Sequence, residues 1–410
     1  MTEEIRDLDP SLNHVPGQVS TIHIMGICGT AMAALAGMLK EQGYSVTGSD
    51  LQVYPPMSDF LKQIGIHPYS GYQAKNLQHK PDLVIVGNVI TRVNPEAQAL
   101  AESSIPYISM PQALEHFFIS TRRSLVITGT HGKTTTSSML ASALHHLGAD
   151  PTFMIGGILH AFKSNYRIGA GPFFVAEGDE YDTAFFDKVS KFLHYRPEIA
   201  VITSLEFDHA DIFQDLEAIK NSFRKFVSLM PADGLLIANT DDENVLQVID
   251  NAPCPVQSYG TGDSCNWRLE APRHCSGNTR FPLLYRDRMY NEITITYTGI
   301  HNCMNATAVI AILHHLGFSR VDSAAALHDF NGVKRRQEIK GVVDDITVID
   351  DFAHHPTAVR ETLKALRQAY PHNRLIAVFE PRTNTSRRSF FQQEYISSFL
   401  SADLSLVREP

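Results

Sequence analysis

Seven consecutive residues carry the strongest chemical signal in this chain: Gly129, Thr130, His131, Gly132, Lys133, Thr134 and Thr135. They follow an apolar run predicted as a strand over 124–128 and precede a helical run over 135–147. Glycines in such a turn let backbone N–H groups curl around phosphate oxygens, and the helix N-terminus adds its dipole. Lys133 is then placed to neutralise β- and γ-phosphate charge, and Thr134 to ligate Mg2+. The loop is a shortened one, since Gly129 and Gly132 stand closer together than the two glycines of the usual phosphate loop. An ordinary glycine-containing turn is the plain alternative, but it does not call for Lys-Thr at the helix start.

Two acidic stretches end predicted strands. One is Glu177-Gly178-Asp179-Glu180-Tyr181-Asp182, the other Leu205-Glu206-Phe207-Asp208-His209-Ala210-Asp211. In a doubly wound sheet the strand C-termini converge on one edge, where the phosphate loop also lies. Glu177 and His209 are therefore candidate metal ligands beside the γ-phosphate, although Mg2+ favours oxygen over imidazole. Solvated loop charge is the alternative for both. Farther on, Ile300-His301-Asn302-Cys303-Met304-Asn305 opens a helix predicted over 306–316. Asn302 and Asn305 either read an adenine or cap that helix.

Asp350-Asp351-Phe352-Ala353-His354-His355-Pro356 sets two acids and two histidines between a strand and a helix. Nearby stand Lys334, Arg335 and Arg336, with Arg382, Arg387 and Arg388 beyond. Planar guanidinium groups suit phosphate or carboxylate ligands, against the bland alternative of a solvated basic surface. The turn Gly26-Ile27-Cys28-Gly29-Thr30-Ala31 departs from the dinucleotide fingerprint at Cys28 and Ala31. Its backbone can still hold a diphosphate, with Asp50 at the next strand end for a ribose hydroxyl. A nicotinamide oxidoreductase read from this turn is disfavoured by that defect and by the separate phosphate loop.

The elements that must position these groups alternate in type. Strands are predicted over 21–25, 45–48 and 82–87 with a helix over 31–42, then over 124–128, 173–176, 199–203 and 235–238. Strands separated by helix-length segments make parallel sheets. A last unit begins near Lys334, with strands over 347–350 and 375–379 around a helix over 357–368. It is short for an α/β domain, so a partial C-terminal domain is expected. The stretch 251–291 is rich in turn formers and shows no clear period. The expected division is 1–120, 121–333 and 334–410.

The 410 residues hold 35 Lys plus Arg against 44 Asp plus Glu, a net charge of −9. A chain that grips nucleic acid through its phosphates normally has the opposite sign. The acidic N-terminus lacks the apolar core of a secretory signal, and no apolar run is long enough to span a membrane. The cysteines Cys28, Cys254, Cys265, Cys275 and Cys303 are odd in number and form no CxxC pair. This pattern predicts a reduced, cytosolic enzyme.

Taken together and in order along the chain, these motifs resemble the Mur ligase family, the ATP-dependent peptide ligases of bacterial cell-wall synthesis. The resemblance implies an α/β architecture of three domains: a Rossmann-like N-terminal domain for a UDP-sugar, a central P-loop ATPase domain and a Rossmann-like C-terminal domain. It implies UDP-sugar contacts at Gly26, Cys28, Gly29, Thr30, Asp50 and Asn88, and ATP contacts at Gly129 through Thr135, Asn302 and Asp351. It further implies Mg2+ on Thr134, Glu177 and His209, catalytic roles for Lys133, Arg335, Arg336 and His354, and a substrate contact at Arg382. Lys220 lies in the region where several members carry a carbamylated lysine.

Within the family, the histidine pair and the Gly26–Gly29 turn resemble the branch acting on UDP-N-acetylmuramate. Val53-Tyr54-Pro55-Pro56-Met57, Ala184-Phe185-Phe186-Asp187-Lys188, Ser190-Lys191-Phe192, the stretch 205–213, and Glu380-Pro381-Arg382 with Asn384-Thr385 resemble its recycling members. Those join the tripeptide L-alanyl-γ-D-glutamyl-meso-diaminopimelate to UDP-N-acetylmuramate. The alternative is the L-alanine-adding branch, with the same chemistry and a smaller amine; an ATP-gated binding protein without catalysis is a third reading. The implied partners are small molecules only (ATP, UDP-N-acetylmuramate and the murein tripeptide), with neither nucleic acid nor membrane.

Overall fold

The structure is a computed structural model that describes residues 5–210, 212–275, 277–382, 386–387 and 391–409. Asp211, Asn384, Thr385 and Arg388 of the motifs above lie outside the described residues.

Short β-branched runs pair first into a five-stranded parallel sheet. Its order is Tyr69–Ser70, Ser45–Asp50, Thr21–Met25, Leu83–Val86, Tyr107–Ser109. The helix Thr30–Glu41 is made of Ala, Met and Leu on nearly all sides and is buried from Met32 to Leu39, so it packs as a core helix against this sheet. The predicted strand 45–48 runs on to Asp50, which brings that carboxylate to the same edge as the turn after Met25.

The second sheet has eleven strands. Arg123–Thr128 sits near its middle, parallel to Phe173–Gly178 on one side and Ile199–Ile202 on the other. Thr128 is level with Gly178 and with Ile202. This register is what brings the phosphate-type turn, the Glu177–Asp182 stretch and the 203–209 loop to one sheet edge. The unassigned region 251–291 extends the sheet. Val256–Gly260 and Trp267–Leu269 continue it in parallel, and Asn278–Tyr285 then adds antiparallel between Arg273–Cys275 and Arg288–Ile295. Buried Thr279, Phe281 and Leu283 show the period of two, masked in the sequence by Arg280 and Pro282 between them. Fully buried Trp267 anchors the extension, its ring tilted over Tyr285 and edge-on to Tyr290.

The last unit departs from expectation. Ile346–Asp350 and Ile376–Phe379 do form, but they do not pair with one another. The first pairs antiparallel with Glu338–Val343, an unpredicted strand whose register shifts between Ile339 and Gly341. The second pairs in parallel with Leu404–Val407. The helix Pro356–Ala369 lies between them in the chain, with Val359, Leu363 and Leu366 on its buried stripe. Among the described residues no helix is long and apolar enough to cross a membrane.

A buried polar hub holds the edge of the first sheet in shape. Glu96, fully buried in the first turn of Pro95–Ala101, accepts hydrogen bonds from His23 Nε2 (2.7 Å), Ser49 Oγ (2.8 Å), Asn76 Nδ2 (2.7 Å) and the Gln73 N–H (3.2 Å). Burial alone would push its carboxyl up, but the contacts with His23, Asn76 and Ser49 outweigh it and hold the group below its ordinary 4.5. Its contribution is thus complete above pH 4.5 and is lost as pH falls through the lower native value. Glu96→Gln turns one oxygen into a donor facing donors and is expected to destabilise the chain by about 2–4 kcal/mol. The urea midpoint at pH 7 measures this loss, and the difference between the two chains should shrink as pH drops below 4.

Candidate active site

The turn after Arg123–Thr128 is possible only with glycine at two positions. Gly129 has φ +128°, and a Cβ there would lie 2.2 Å from Thr203 Oγ1; Gly132 has φ +83°, and its Cβ would lie 2.6 Å from Asn305 Oδ1. The loop is braced from the neighbouring strand end: Thr130 N–H donates to Ser204 O (2.9 Å) and His131 N–H to Ser204 Oγ (3.0 Å). Gly132 then caps the helix Lys133–His146, so the free N–H groups of its first turn face the sheet edge.

Lys133 is a largely covered cation at this edge. Its Nζ donates to Gly129 O (2.7 Å) and to Glu180 Oε2 (2.8 Å), while Glu180 Oε1 stands 3.4 Å from His209 Nε2. Burial would push the Lys133 ammonium down, but Glu180, Asp179 and Glu177 outweigh it and hold it above its ordinary value. The same pairing works in reverse on Glu180, whose carboxyl stays low despite burial because Lys133 and His209 face it. His209 is likewise held above its ordinary value by Glu180, against the opposing effect of burial. Beside this cluster, Thr134 Oγ1 donates to Glu177 Oε1 (2.8 Å) and accepts from Arg336 Nη2 (3.1 Å). The other oxygen of Glu177 accepts the Gly156 N–H at 2.7 Å.

A cavity of about 680 Å³ opens onto these groups. Thr130 through Thr135, Asn302 and Asp351 line it, as do Glu177, His209, Arg336 and His354. Asn302 and Asn305 are not caps: Gly299 holds that position, and the asparagines lie inside the helix Ile300–His315, where Asn302 Nδ2 donates to Thr298 O (2.8 Å) and Asn305 Nδ2 to Asn302 Oδ1. His354 lines the cavity with its imidazole held below the ordinary value by burial.

Other expected residues lie elsewhere. Arg335 points at Asp350 (3.7 Å) and lies over the Phe352 ring, outside the lining. Arg382 is 71% exposed and pairs with Glu380 at 2.6 Å. Lys220, on the buried side of Leu216–Ser228, donates to Gln247 Oε1 (2.7 Å) and does not reach the cavity. The first turn is a separate place. Gly29 caps the helix that Thr30 begins, and Gly26 precedes it at a positive φ. The Cys28 N–H donates to Asp50 Oδ2 (2.9 Å), so that Asp50 closes the turn. Asn88 Nδ2 reaches Asp182 O (3.0 Å), linking this edge to the acidic stretch of the central unit.

The structure adds residues that sequence reasoning left out. Glu180 sat in a named motif, but its pairing with Lys133 required the three-dimensional register. His301 lines the cavity, and its buried Nδ1 has no hydrogen-bond partner among the described residues. Together, an ion-paired ammonium, helix N–H groups and the oxygen pair of Thr134 and Glu177 have the chemistry to hold a polyphosphate with a divalent cation. Because Glu180 keeps Lys133 charged, Glu180→Gln is expected to lower the Lys133 pKa. The alkaline fall in nucleoside triphosphate binding then begins at lower pH than in the unaltered chain, as calorimetry through the alkaline range would read it.

Comparison with known proteins agrees in three consecutive stretches. Residues 21–122 match the Mur ligase family catalytic domain, 127–313 the Mur ligase middle domain, and 335–405 the Mur ligase glutamate ligase domain. The chain is 42% identical over 390 residues to the UDP-N-acetylmuramate–L-alanyl-γ-D-glutamyl-meso-2,6-diaminoheptandioate ligase of Escherichia coli K12, covering 95% of this chain and 85% of that protein. Against the UDP-N-acetylmuramate–L-alanine ligase of Geotalea uraniireducens the identity is 34% over 393 residues, covering 96% and 83%. The crystal structure of a murein peptide ligase from Psychrobacter arcticus superimposes with a TM-score of 0.77 at 36% identity, covering 95% of this chain and 84% of that one. Phosphate loop, acidic strand ends and histidine-bearing C-terminal loop thus stand in one inherited frame, and the chain belongs to the Mur ligase family.

Proposed function

We propose that the chain joins the murein tripeptide L-alanyl-γ-D-glutamyl-meso-diaminopimelate to UDP-N-acetylmuramate at the expense of ATP, in the cytoplasm, as a step of peptidoglycan recycling. The choice of amine rests on one observation: 42% identity to a tripeptide ligase against 34% to an alanine ligase, each over at least 95% of the chain.

In this reading the lactyl carboxylate of the sugar nucleotide attacks the γ-phosphorus of ATP. ADP leaves with the bridging electron pair, and an acyl phosphate forms. The peptide amine then adds to the acyl carbon, and the tetrahedral intermediate collapses with loss of inorganic phosphate and a proton. Lys133 offsets charge on the transferring phosphoryl group, and the first-turn N–H groups of Lys133–His146 orient it. Arg336, now on Thr134 Oγ1, is positioned to turn onto a phosphate oxygen. The hard oxygens of Thr134 and Glu177 fit Mg2+, with His209 as the further ligand the family resemblance implies. When bound, Mg2+ supplies charge neutralisation between the β- and γ-phosphates. The sugar nucleotide's diphosphate is assigned to Gly26, Cys28, Gly29 and Thr30, apart from the ATP cavity, with Asp50 and Asn88 beside them. Arg335 and Arg382, away from the cavity, are left as contacts for the incoming peptide.

Two outcomes test this reading. Lys133→Ala is expected to lower the ligation rate by about 10²–10³ or more. Binding of UDP-N-acetylmuramate, followed by calorimetry, should stay within about twofold, because its site lies in another unit. The amine is decided by the ratio of kcat/KM for tripeptide over L-alanine, with ATP and UDP-N-acetylmuramate saturating and product read by mass spectrometry. A site built for several carboxylates leaves charged groups unpaired around alanine, so a ratio above roughly one hundred is expected. A ratio below one would move the chain to the alanine-adding branch.

A further inference from the structure

Three side chains from three separate stretches converge at one wall of the cavity. They are His131 of the phosphate loop, Glu206 of the loop after Ile199–Ile202, and His355, which caps the helix Pro356–Ala369. His131 Nε2 lies 3.2 Å from Glu206 Oε2, and His355 Nδ1 lies 3.5 Å from the same oxygen. All three ligand atoms fall within 4.8 Å of one another. A tetrahedral zinc ion with bonds of about 2.0–2.1 Å separates its ligand atoms by about 3.3–3.4 Å, so two edges of the triangle already have the required length.

The chemistry of the set is selective. Two imidazoles and one carboxylate suit zinc and its neighbours in the first transition row, whereas Mg2+ calls for an octahedron of oxygens. The tautomer of His355 is also prepared. Its Nε2 lies 3.4 Å from the Phe207 carbonyl and can only donate to it, which leaves the Nδ1 lone pair facing Glu206. That lone pair now receives the Thr357 N–H across 3.3 Å, a long cap that a metal bond would replace. His355 is 4% exposed, while the His131 and Glu206 side chains open to the cavity, so a fourth position is reachable from solvent.

We propose that His131, Glu206 and His355 form a binding site for one zinc-class divalent transition-metal ion, distinct from the Thr134–Glu177 oxygen pair, which staples the C-terminal helix onto the phosphate loop. The site goes beyond the ligase reading and stands or falls independently of it, because its test requires no turnover.

Zinc chloride is titrated by calorimetry into the metal-free full chain with no nucleotide present, and Co2+ is used as a spectroscopic probe. The expected result is one Zn2+ per chain with a micromolar or lower Kd, unchanged by millimolar Mg2+. The Co2+ form should show the intense visible bands of a tetrahedral site. Each of His131→Gln and His355→Gln should weaken Zn2+ binding at least tenfold and abolish those bands. His131→Gln leaves the helix cap intact and decides the matter if His355→Gln does not fold. Absence of saturable binding, displacement of Zn2+ by Mg2+, or binding that His131→Gln leaves untouched (as attachment to cysteine thiols would be) overturns the proposal.

Discussion

The buried pair of Lys133 and Glu180 is the interaction on which the rest of the central edge depends. Three carboxylates, Glu177, Asp179 and Glu180, cluster where one strand ends, Glu180 buried and the other two half-buried, a concentration of like charge whose ionised form burial opposes. Each is matched by something different. Glu180 takes Lys133 and His209, Asp179 takes Lys191 at 3.2 Å, and Glu177 is matched directly, among the described residues, by a hydroxyl and a backbone N–H, with Lys133 acting from farther off. Burial and the neighbouring Asp179 accordingly push the Glu177 carboxyl up, making it the member of the set with most to gain from a cation. A phosphate receptor whose lysine is already ion-paired also discriminates: an incoming anion must bring enough charge, or enough associated metal, to share that lysine with Glu180.

The acidic stretch does a second task through its far end. After Tyr181 the chain turns outward, where Asp182 O accepts from Asn88, Asp187 Oδ2 accepts from Ser109 Oγ (2.9 Å), and the Phe186 ring packs edge-on to Tyr107 at 4.9 Å. One continuous segment therefore runs from the phosphate cavity to the edge of the first sheet. That first edge is in turn held by Glu96, whose hydrogen bonds join the strand bearing Asp50 to the loop at Gln73 and Asn76. The two candidate ligand sites sit in separate sheets, yet they are mechanically joined through residues 182–187.

How much of this was legible in the sequence depended on whether the signal was local. The three central strands of the first sheet and the turn at Gly129 read directly, because period, glycine placement and helix start all lie within a few residues of one another, whereas the short edge strands Tyr69–Ser70 and Tyr107–Ser109 carry too few residues to show a period. Asn302 and Asn305 could be singled out but not explained: the choice between cap and interior turned on Gly299, whose φ of +94° takes the capping position and moves both asparagines into the helix. Glu180 and His355 were quoted within motifs without a role, since each acquires its meaning from a partner 47 and 148 residues away, Lys133 and Phe207 respectively. The antiparallel extension was hidden for another reason. In Asn278–Tyr285 the buried alternation is carried by Thr279, Phe281 and Leu283 but is interleaved with Arg280 and Pro282, so turn-forming composition outweighed the period of two. The basic residues were the least legible, because Arg335 and Arg336 are adjacent in sequence and a positive φ of 59° at Arg335 sends them to different partners.

That backbone twist shows why the C-terminal segment cannot be treated as an independent lid. Arg336 touches Thr134, Gln337 N–H donates to Asp351 Oδ2 (2.8 Å), and Asp351 Oδ1 accepts from Ala353 N–H, so the turn before the hairpin and the loop before the helix Pro356–Ala369 are tied into one piece. The same piece carries His354 and His355 against the phosphate loop, with the His355 ring 4.8 Å from that of His131. Any shift of this helix therefore changes what Thr134 and His131 face, and any ligand that occupies the phosphate loop changes where the helix can rest. By linkage the two effects are equal in free energy: whatever a ligand on that loop does to the docking of the helix, docking does to the ligand. The loop at Gly129–Thr134 and the helix Pro356–Ala369 are thus coupled through the contacts that Arg336 and His355 make with that loop.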